Sequence, residues 1–363
     1  MTLPSRELIR ASRAAAQSLA DRNTPFIFDE WYVAAFGSEI GRLLLKRRVL
    51  GRNLVLFRTQ EGRPVALEDR CAHRSLPLSA GTLDGDTIVC GYHGFRYDAQ
   101  GDCIQIPSQA TCPKGIGVRQ YPVVEYGPLV WIWMGNPAHA DPARVPQQPW
   151  LAADDWHRSQ GYLPLHASYV GLHENLMDLT HLSFLHARTF GTPDYVSAPY
   201  DVLIEENRFV LRRSVIPTRL PPVWAEPTGI GHDAAARIAT SEFVSPGLHV
   251  VTAQFYDSTL PESSRPVFQI KTAHIPTPES QHATHYFIVH GRDFALDRAE
   301  ITEFMHQQLF QAFNEDVQGL EAVEQALVAA GEEVYEISVG SDRAAIAMRK
   351  YLKRRSDAER AAH

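Results

Sequence analysis

The strongest constraint on this chain is a pair of short ligand motifs, Cys71-Ala72-His73 and, after sixteen intervening residues, Cys90-Gly91-Tyr92-His93. Each places a thiol and an imidazole close enough for one loop to chelate a metal. The surrounding text is β-rich, cut by Gly, Pro and Asp roughly every 8–12 residues, which predicts a compact all-β unit with the motifs at hairpin tips. A zinc ribbon is the competing expectation, although structural zinc sites more often take two cysteines in each pair.

Composition sharpens this. Four cysteines beside 16 histidines in 363 residues are too few for a disulfide scaffold and point to a reducing compartment, with histidines available as ligands. A net charge of −7 gives no basic footprint for nucleic acid. No stretch approaches ~18 uninterrupted apolar residues, so no membrane span is expected. The first 23 residues lack the apolar core of a signal peptide. The expected organisation is a helical extension over 1–25, the β unit over 26–140 and a second unit over 141–363. Their boundary falls in sequence punctuated by Pro137, Pro142, Pro146 and Pro149. Within this frame Val130–Gly135 reads as a strand with Trp131 and Trp133 on one face. Residues 165–190 read as helical, 199–295 as β-rich, 299–330 as one long helix and 342–360 as a charged helix.

A Rieske 2Fe–2S centre needs two thiolates on one iron and two imidazoles on the other, and these motifs supply one of each per loop. Cys71–Arg74 and Cys90–Asp98 closely resemble the Rieske domains of aromatic-ring oxygenases. Cys71, His73, Cys90 and His93 are then the cluster ligands, and Cys103 and Cys112 ordinary thiols.

A second constellation follows at Asn175-x-x-Asp178-x-x-His181-x4-His186. It resembles the catalytic signature of Rieske non-haem iron oxygenases, in which two His and one carboxylate bind iron(II) on one face and leave positions open. Residues five apart on an α-helix differ by ~140°, so a π-bulge or helix end is expected between His181 and His186. Asp178 lies three residues from His181, so its carboxylate is expected to reach that imidazole. On the 299–330 helix, Asp316 falls within the apolar stripe of Met305, Leu309, Phe313 and Val317. Glu315 points roughly 140° away, toward solvent. A buried Asp needs a partner, either an ion pair within the protein or the metal, and iron is the expected one, with Asp316 as its third ligand. Asn314–Val317 also resembles the family's carboxylate site.

The chain looks most like the vanillate and dicamba O-demethylase oxygenases. That resemblance implies an α+β fold: an N-terminal all-β Rieske domain, then a catalytic domain whose curved antiparallel sheet wraps around helices (helix-grip, START-like). It implies a 2Fe–2S cluster and a mononuclear Fe(II). It also implies a head-to-tail homotrimer in which Asp178, with Asn175 beside it in the signature, bridges His93 and His181 across a subunit boundary. The implied activity is that of a terminal monooxygenase component. It would hydroxylate or O/N-demethylate a small aromatic with O2 and electrons from a flavin-containing reductase or ferredoxin, in a bacterial cytoplasm. An arene cis-dihydroxylating dioxygenase shares both sites. A Rieske electron-transfer protein with a non-catalytic ligand-binding domain is the reading from another class. The string His274–Glu279 resembles the group's substrate-pocket strands, with His274 as a substrate contact. Arg212, Arg213, Arg237 and His274 are each candidates to bind a substrate carboxylate, and the sequence does not choose among them.

Overall fold

The computed structural model describes residues 5–231, 233–331 and 334–362. Residues 1–4 of the expected N-terminal extension, and His232, Glu332, Glu333 and His363 of the expected 141–363 unit, lie outside the described residues. The chain divides into two compact units, one of them Phe28–Gln148 with Thr277–Ser280.

That unit is built from three small antiparallel sheets. One contains Leu45–Val49, Arg52–Arg58, Pro64–Glu68 and Gln120–Tyr121; a second contains Thr82–Asp84, Thr87–Val89, Arg96–Tyr97 and Cys103–Gln105. In the third, Leu129–Trp133 lies between Trp31–Phe36 and Val123–Tyr126 and is buried along its whole length. Trp131 and Trp133 share a face, as alternation requires. The Trp133 ring meets Trp31 edge-on at 5.5 Å, a contact worth about 1 kcal/mol beyond its buried area. The proline-punctuated stretch forms single 3-10 turns at Pro137–His139, Pro142–Arg144 and Pro149–Leu151. Proline suits a first turn because its missing N–H would lack a helical partner there anyway.

The other unit is organised on a seven-stranded antiparallel sheet. Its order is His157–Leu165, Ala283–Arg292, Phe268–Ser280, Leu248–Asp257, Ala235–Ser245, Phe209–Thr218, Tyr200–Ile204. Ala235–Ser245 alternates buried and half-buried positions over most of its length, the period of a strand with one face on the core. Among the described residues five α-helices accompany it: α1 (Arg6–Ala16), α2 (Tyr169–Met177), α3 (Pro222–Thr228), α4 (Ala299–Ala330) and α5 (Arg343–Ala361). Ser5 caps α1 by accepting from the Leu8 N–H at 3.1 Å. The long helix occupies the residues its apolar stripe predicted.

The curved sheet wrapped around helices, in the helix-grip or START-like manner, is corrected by the structure. The sheet is open: its strands form a single ladder from His157–Leu165 to Tyr200–Ile204, and it is not curled around a helix. The helices pack on it separately, α4 against His157–Leu165, α2 against Ala235–Ser245 and Leu248–Asp257, and α5 against Phe209–Thr218 and Tyr200–Ile204. An antiparallel meander needs only its apolar face covered, and separate helices do that without closure.

One close approach fixes α4. A Cβ on Gly161 would lie 2.2 Å from Phe310 Cε1, so only glycine lets strand and helix meet there.

Candidate metal centres

The two Cys/His loops have the same backbone. In the first, Ser75 N–H donates to the Cys71 carbonyl and Cys71 N–H to the Leu76 carbonyl; in the second, Gly94 N–H donates to Cys90 and Cys90 N–H to Phe95. Each loop turns through a left-handed residue at the same offset, Ser75 at φ 60° and Gly94 at φ 73°. Cys71 and Cys90 are buried while His73 and His93 are exposed. The two Nδ1 atoms converge to 3.1 Å, a separation that two bonds of about 2 Å to one metal ion can span. His73 stacks on Phe95 with ring centroids 4.7 Å apart. Tyr97 Oη lies 3.2 Å from Cys71 Sγ and accepts from the Ala72 N–H at 3.1 Å. Buried thiols opposite converging imidazoles are the donor set of a mixed thiolate/imidazole 2Fe–2S cluster. Burial raises the Cys90 thiol pKa, the cost that binding as a thiolate would relieve. Cys103 and Cys112 are free thiols, and Cys112 Sγ donates to the Cys103 carbonyl at 2.9 Å.

The second centre is assembled where α2 stops. Ser168 caps its start, and the helix ends at Met177 because Asp178 turns to an extended conformation (φ −121°, ψ 100°). A 3-10 segment, Leu179–Ser183, then carries His181, and His186 follows beyond its end. The expected interruption is therefore a change of helix type and a helix end. Gly191 lets this loop fold back on itself: a Cβ there would come within 1.7 Å of the Leu182 carbonyl oxygen.

His181, His186 and Asp316 each offer an atom within 4.8 Å of the others'. Asp316 Oδ1 lies 3.1 Å from His186 Nε2 and 3.6 Å from His181 Nε2. Burial opposes the Asp316 charge, but the hydrogen bond and charge of His186 and the charge of His181 hold its carboxyl below the usual range. Burial lowers His181, whereas at His186 the hydrogen bonds and charges of Asp316 and Glu315 outweigh burial and raise it. Two imidazoles around one buried carboxylate oxygen fit a non-haem iron(II) ion.

Two neighbouring residues behave differently from the sequence expectation. Glu315 does not face solvent: its Oε2 accepts from His186 Nδ1 at 2.8 Å and from Thr189 Oγ1 at 2.8 Å. A helical wheel assigns that side to solvent by default, and it could not show that the 186–189 loop packs there. The Asp178 carboxylate does not contact His181 within the chain. It accepts from Thr180 N–H and Oγ1, both at 2.9 Å, while the backbone carbonyl of Asp178 faces His181 Nδ1. Asn175 Nδ2 donates to Asp316 Oδ1 at 3.2 Å.

The three ligands open onto a cavity whose walls include Leu176, Leu182, Phe190, Trp224, Ile270 and Phe313. His274 lines it as well, with Nδ1 paired to Tyr286 Oη, and burial pushes its imidazole pKa down to about 4. Of the candidate arginines only Arg237 lines the cavity. Arg212 is exposed, and Arg213 is buried against the carbonyls of Tyr195, Val196 and Ala198.

Comparison with known proteins agrees with this chemistry. Residues 30–122 match the Rieske [2Fe-2S] domain, and residues 165–358 match the vanillate O-demethylase oxygenase C-terminal domain. A putative toluene-4-sulfonate monooxygenase system iron-sulfur subunit of Comamonas testosteroni is 33% identical over 325 residues, covering 82% of this chain and 88% of its own. The oxygenase component of dicamba O-demethylase from Stenotrophomonas maltophilia is 31% identical over 304 residues, with 82% and 88% covered. The crystal structure of dicamba monooxygenase bound to 3,6-dichlorosalicylic acid superposes with a TM-score of 0.88 at 27% identity, covering 93% of this chain and 99% of that one. No helix of the described residues is long and apolar enough to cross a membrane. The chain belongs to the Rieske non-haem iron oxygenases, in the family of the vanillate, dicamba and toluene-sulfonate oxygenase components, as an oxidoreductase with a 2Fe–2S cluster and a mononuclear iron site.

Proposed function

We propose that this chain is the terminal oxygenase component of a monooxygenase that hydroxylates or O/N-demethylates a small aromatic substrate. The observation that carries this reading is that His181, His186 and Asp316 share one cavity with Phe190, Trp224 and Phe313. Aromatic walls of that kind suit a planar ring, and a preformed apolar pocket with a few polar groups is the usual form of a small-molecule site.

When bound, the cluster supplies single electrons and the iron supplies dioxygen activation. The chain's own residues do the rest. His181, His186 and Asp316 leave the cavity side open to O2 and substrate. Leu176, Leu182 and Phe313 exclude water from the reacting carbon. Glu315 fixes the His186 ring through Nδ1. Overall, O2, two electrons and two protons convert a C–H bond to C–OH and release one water. If the carbon is an O- or N-methyl group, the product collapses to formaldehyde and the demethylated arene.

Cys71, His73, Cys90 and His93 are assigned to the cluster, His181, His186 and Asp316 to iron, and Asp178 and Asn175 to the link between the centres. The 26–140 unit would receive electrons and the 141–363 unit would use them, with 1–25 as an appended helix. A flavin-containing reductase or ferredoxin is the assigned donor, a head-to-tail homotrimer the assembly, and a bacterial cytoplasm the location. The exposed imidazoles His73 and His93 support transfer at a surface, and four cysteines in 363 residues, too few for a disulfide scaffold, support a reducing compartment.

Turnover with labelled dioxygen and a surrogate reductase tests this reading. One labelled oxygen atom per product, in the hydroxyl or in formaldehyde, is expected. A cis-diol carrying two labelled atoms would replace it with arene dihydroxylation. Iron limited to the cluster's two per chain, with no product, would leave only electron transfer.

A further inference from the structure

Two of the four cysteines, Cys103 and Cys112, serve neither metal centre, and the fold brings them together. Cys103 opens the strand Cys103–Gln105, where it pairs with Tyr97, and its N–H donates to the Ile116 carbonyl at 2.9 Å. Cys112 Sγ donates back to the Cys103 carbonyl at 2.9 Å. The Cys103 thiol reaches the Gln105 carbonyl at 3.7 Å and also hydrogen-bonds the Cys112 thiol. Thiols in mutual contact are what a disulfide requires, provided the backbone can adjust to its geometry. Residues 106–111 between them form no helix or strand, so the chain there has that freedom.

The two thiols differ in access. Cys112 is half-buried between the exposed residues Thr111 and Pro113, whereas Cys71, Cys90 and Cys103 are buried. Burial and the neighbouring Cys112 thiol push the Cys103 pKa up to about 11, so Cys103 stays a protonated, sluggish thiol until its neighbour changes. An accessible thiol that meets oxidant beside a sheltered one that resolves it is the arrangement of a redox-sensitive pair. The pair also borders the cluster loops. Tyr97, the strand partner of Cys103, holds its hydroxyl 3.2 Å from Cys71 Sγ, and Pro107 Cγ lies 3.0 Å from where a Cβ on Gly94 would stand. Oxygenase chemistry itself supplies an oxidant: O2, two electrons and two protons that attack no carbon leave as hydrogen peroxide.

We propose that Cys103 and Cys112 are a reversible modification site, oxidised by hydrogen peroxide to a disulfide beside the cluster. The Cys112 sulfur attacks peroxide: the O–O bond breaks, an S–O bond forms, and the second oxygen leaves as water with the thiol proton. The Cys103 sulfur then attacks the Cys112 sulfenic acid. An S–S bond forms, the S–O bond breaks, and the hydroxyl leaves as water with the Cys103 proton. Together two thiols and one peroxide give one disulfide and two waters, and a dithiol reductant reverses the change. Contact with Cys103 keeps the sulfenic acid from accumulating or being oxidised further. This site is separate from the cavity, and its chemistry with added peroxide does not depend on what the cavity binds.

The test treats the holoenzyme with a few equivalents of hydrogen peroxide, then denatures and alkylates it for mass spectrometry. Both cysteines fall on one tryptic fragment, residues 97–114, because Arg96 and Lys114 bound it with no Lys or Arg between. The untreated fragment takes two alkyl groups. After peroxide it is expected to take none and to be lighter by two hydrogens than the dithiol, and dithiothreitol is expected to restore both sites. Cys103→Ala leaves the sulfenic acid unresolved, so dimedone capture at Cys112 should exceed that in the wild type at least about tenfold. Cys112→Ser serves if that variant does not fold, with cluster absorption as the check, and its Cys103 should still be alkylated after peroxide. A wild-type fragment that keeps two alkyl groups while peroxide bleaches the cluster overturns the inference. So does sulfinic acid at Cys112 beside a free Cys103, or oxidation of Cys103 in Cys112→Ser as fast as in the wild type.

Discussion

Glu315→Ala offers the most direct measure of how the protein orders its iron ligands. Glu315 holds His186 by Nδ1 at 2.8 Å and is itself held by Thr189 Oγ1 at 2.8 Å, so the imidazole presents Nε2 toward Asp316 in one orientation. A hydrogen bond to a charged acceptor contributes about 1.5–3 kcal/mol. The Glu315 side chain is 22% exposed, so water can partly replace it, which places the loss near the lower end of that range. At about 1.4 kcal/mol per factor of ten, iron affinity should fall about 10- to 30-fold, in line with the effect of removing such a partner from other metal-bound histidines. Glu315→Gln keeps an acceptor but loses the charge, and should cost about half as much free energy. The assay is competitive titration of apoprotein with Fe(II) against a chelator, with the cluster absorption as a check on folding. Wild-type iron affinity in Glu315→Ala would refute the reasoning and return Glu315 to an ordinary surface residue.

Asp178→Asn should retain both metal centres, because the side-chain acceptor to Thr180 survives, yet lower steady-state turnover at least about 100-fold; normal turnover would remove Asp178 from the electron path. Tyr97→Phe removes the hydroxyl 3.2 Å from Cys71 Sγ, a bond that strengthens as the cluster gains negative charge. A differential of about 1 kcal/mol lowers the one-electron potential by about 40 mV, measurable by redox titration, and an unchanged potential would contradict the contact. His173 and His290 are buried with pKa values pushed down to about 4 and about 3, whereas the unfolded chain protonates near 6.5. The unfolded state therefore binds more protons below pH 6.5, and stability is lost as pH falls from there, by about 2 kcal/mol for each histidine at pH 5. A Tm unchanged between pH 7.5 and pH 5 would count against this.

The parts of the structure set by local spacing were readable in the sequence. Cys71-x-His73 and Cys90-x-x-His93 needed only loop-length reasoning, and α4 announced itself through its apolar stripe with Asp316 inside it. The five-residue gap between His181 and His186 also forced a break, which Asp178 provides by leaving helical geometry. What was not legible depends on contacts between distant segments. Glu315 looked solvent-facing because a helical wheel knows nothing of the loop at 186–189, some 126 residues away in sequence. Arg237 could not be separated from Arg213 because both sit at buried positions of neighbouring strands, and only the tertiary structure shows that Arg237 is the one lining the cavity. The open sheet was misjudged for a related reason: resemblance supplied a curvature that the strand pattern never encoded.

The paired acids of α4 have a consequence for how this gene can change. Consecutive helical residues point about 100° apart, so Asp316 and Glu315 straddle the two edges of one imidazole. Six positions earlier Phe310 is locked over Gly161, so the helix can neither roll nor slide without losing that seat. The interval between them acts as a reading frame. A single codon inserted or deleted there would turn the carboxylates by about 100° and leave His186 facing the wrong acid or none. Length variation should therefore accumulate outside the interval, and substitutions in the cavity walls can change what the enzyme accepts while the metal geometry stays in register.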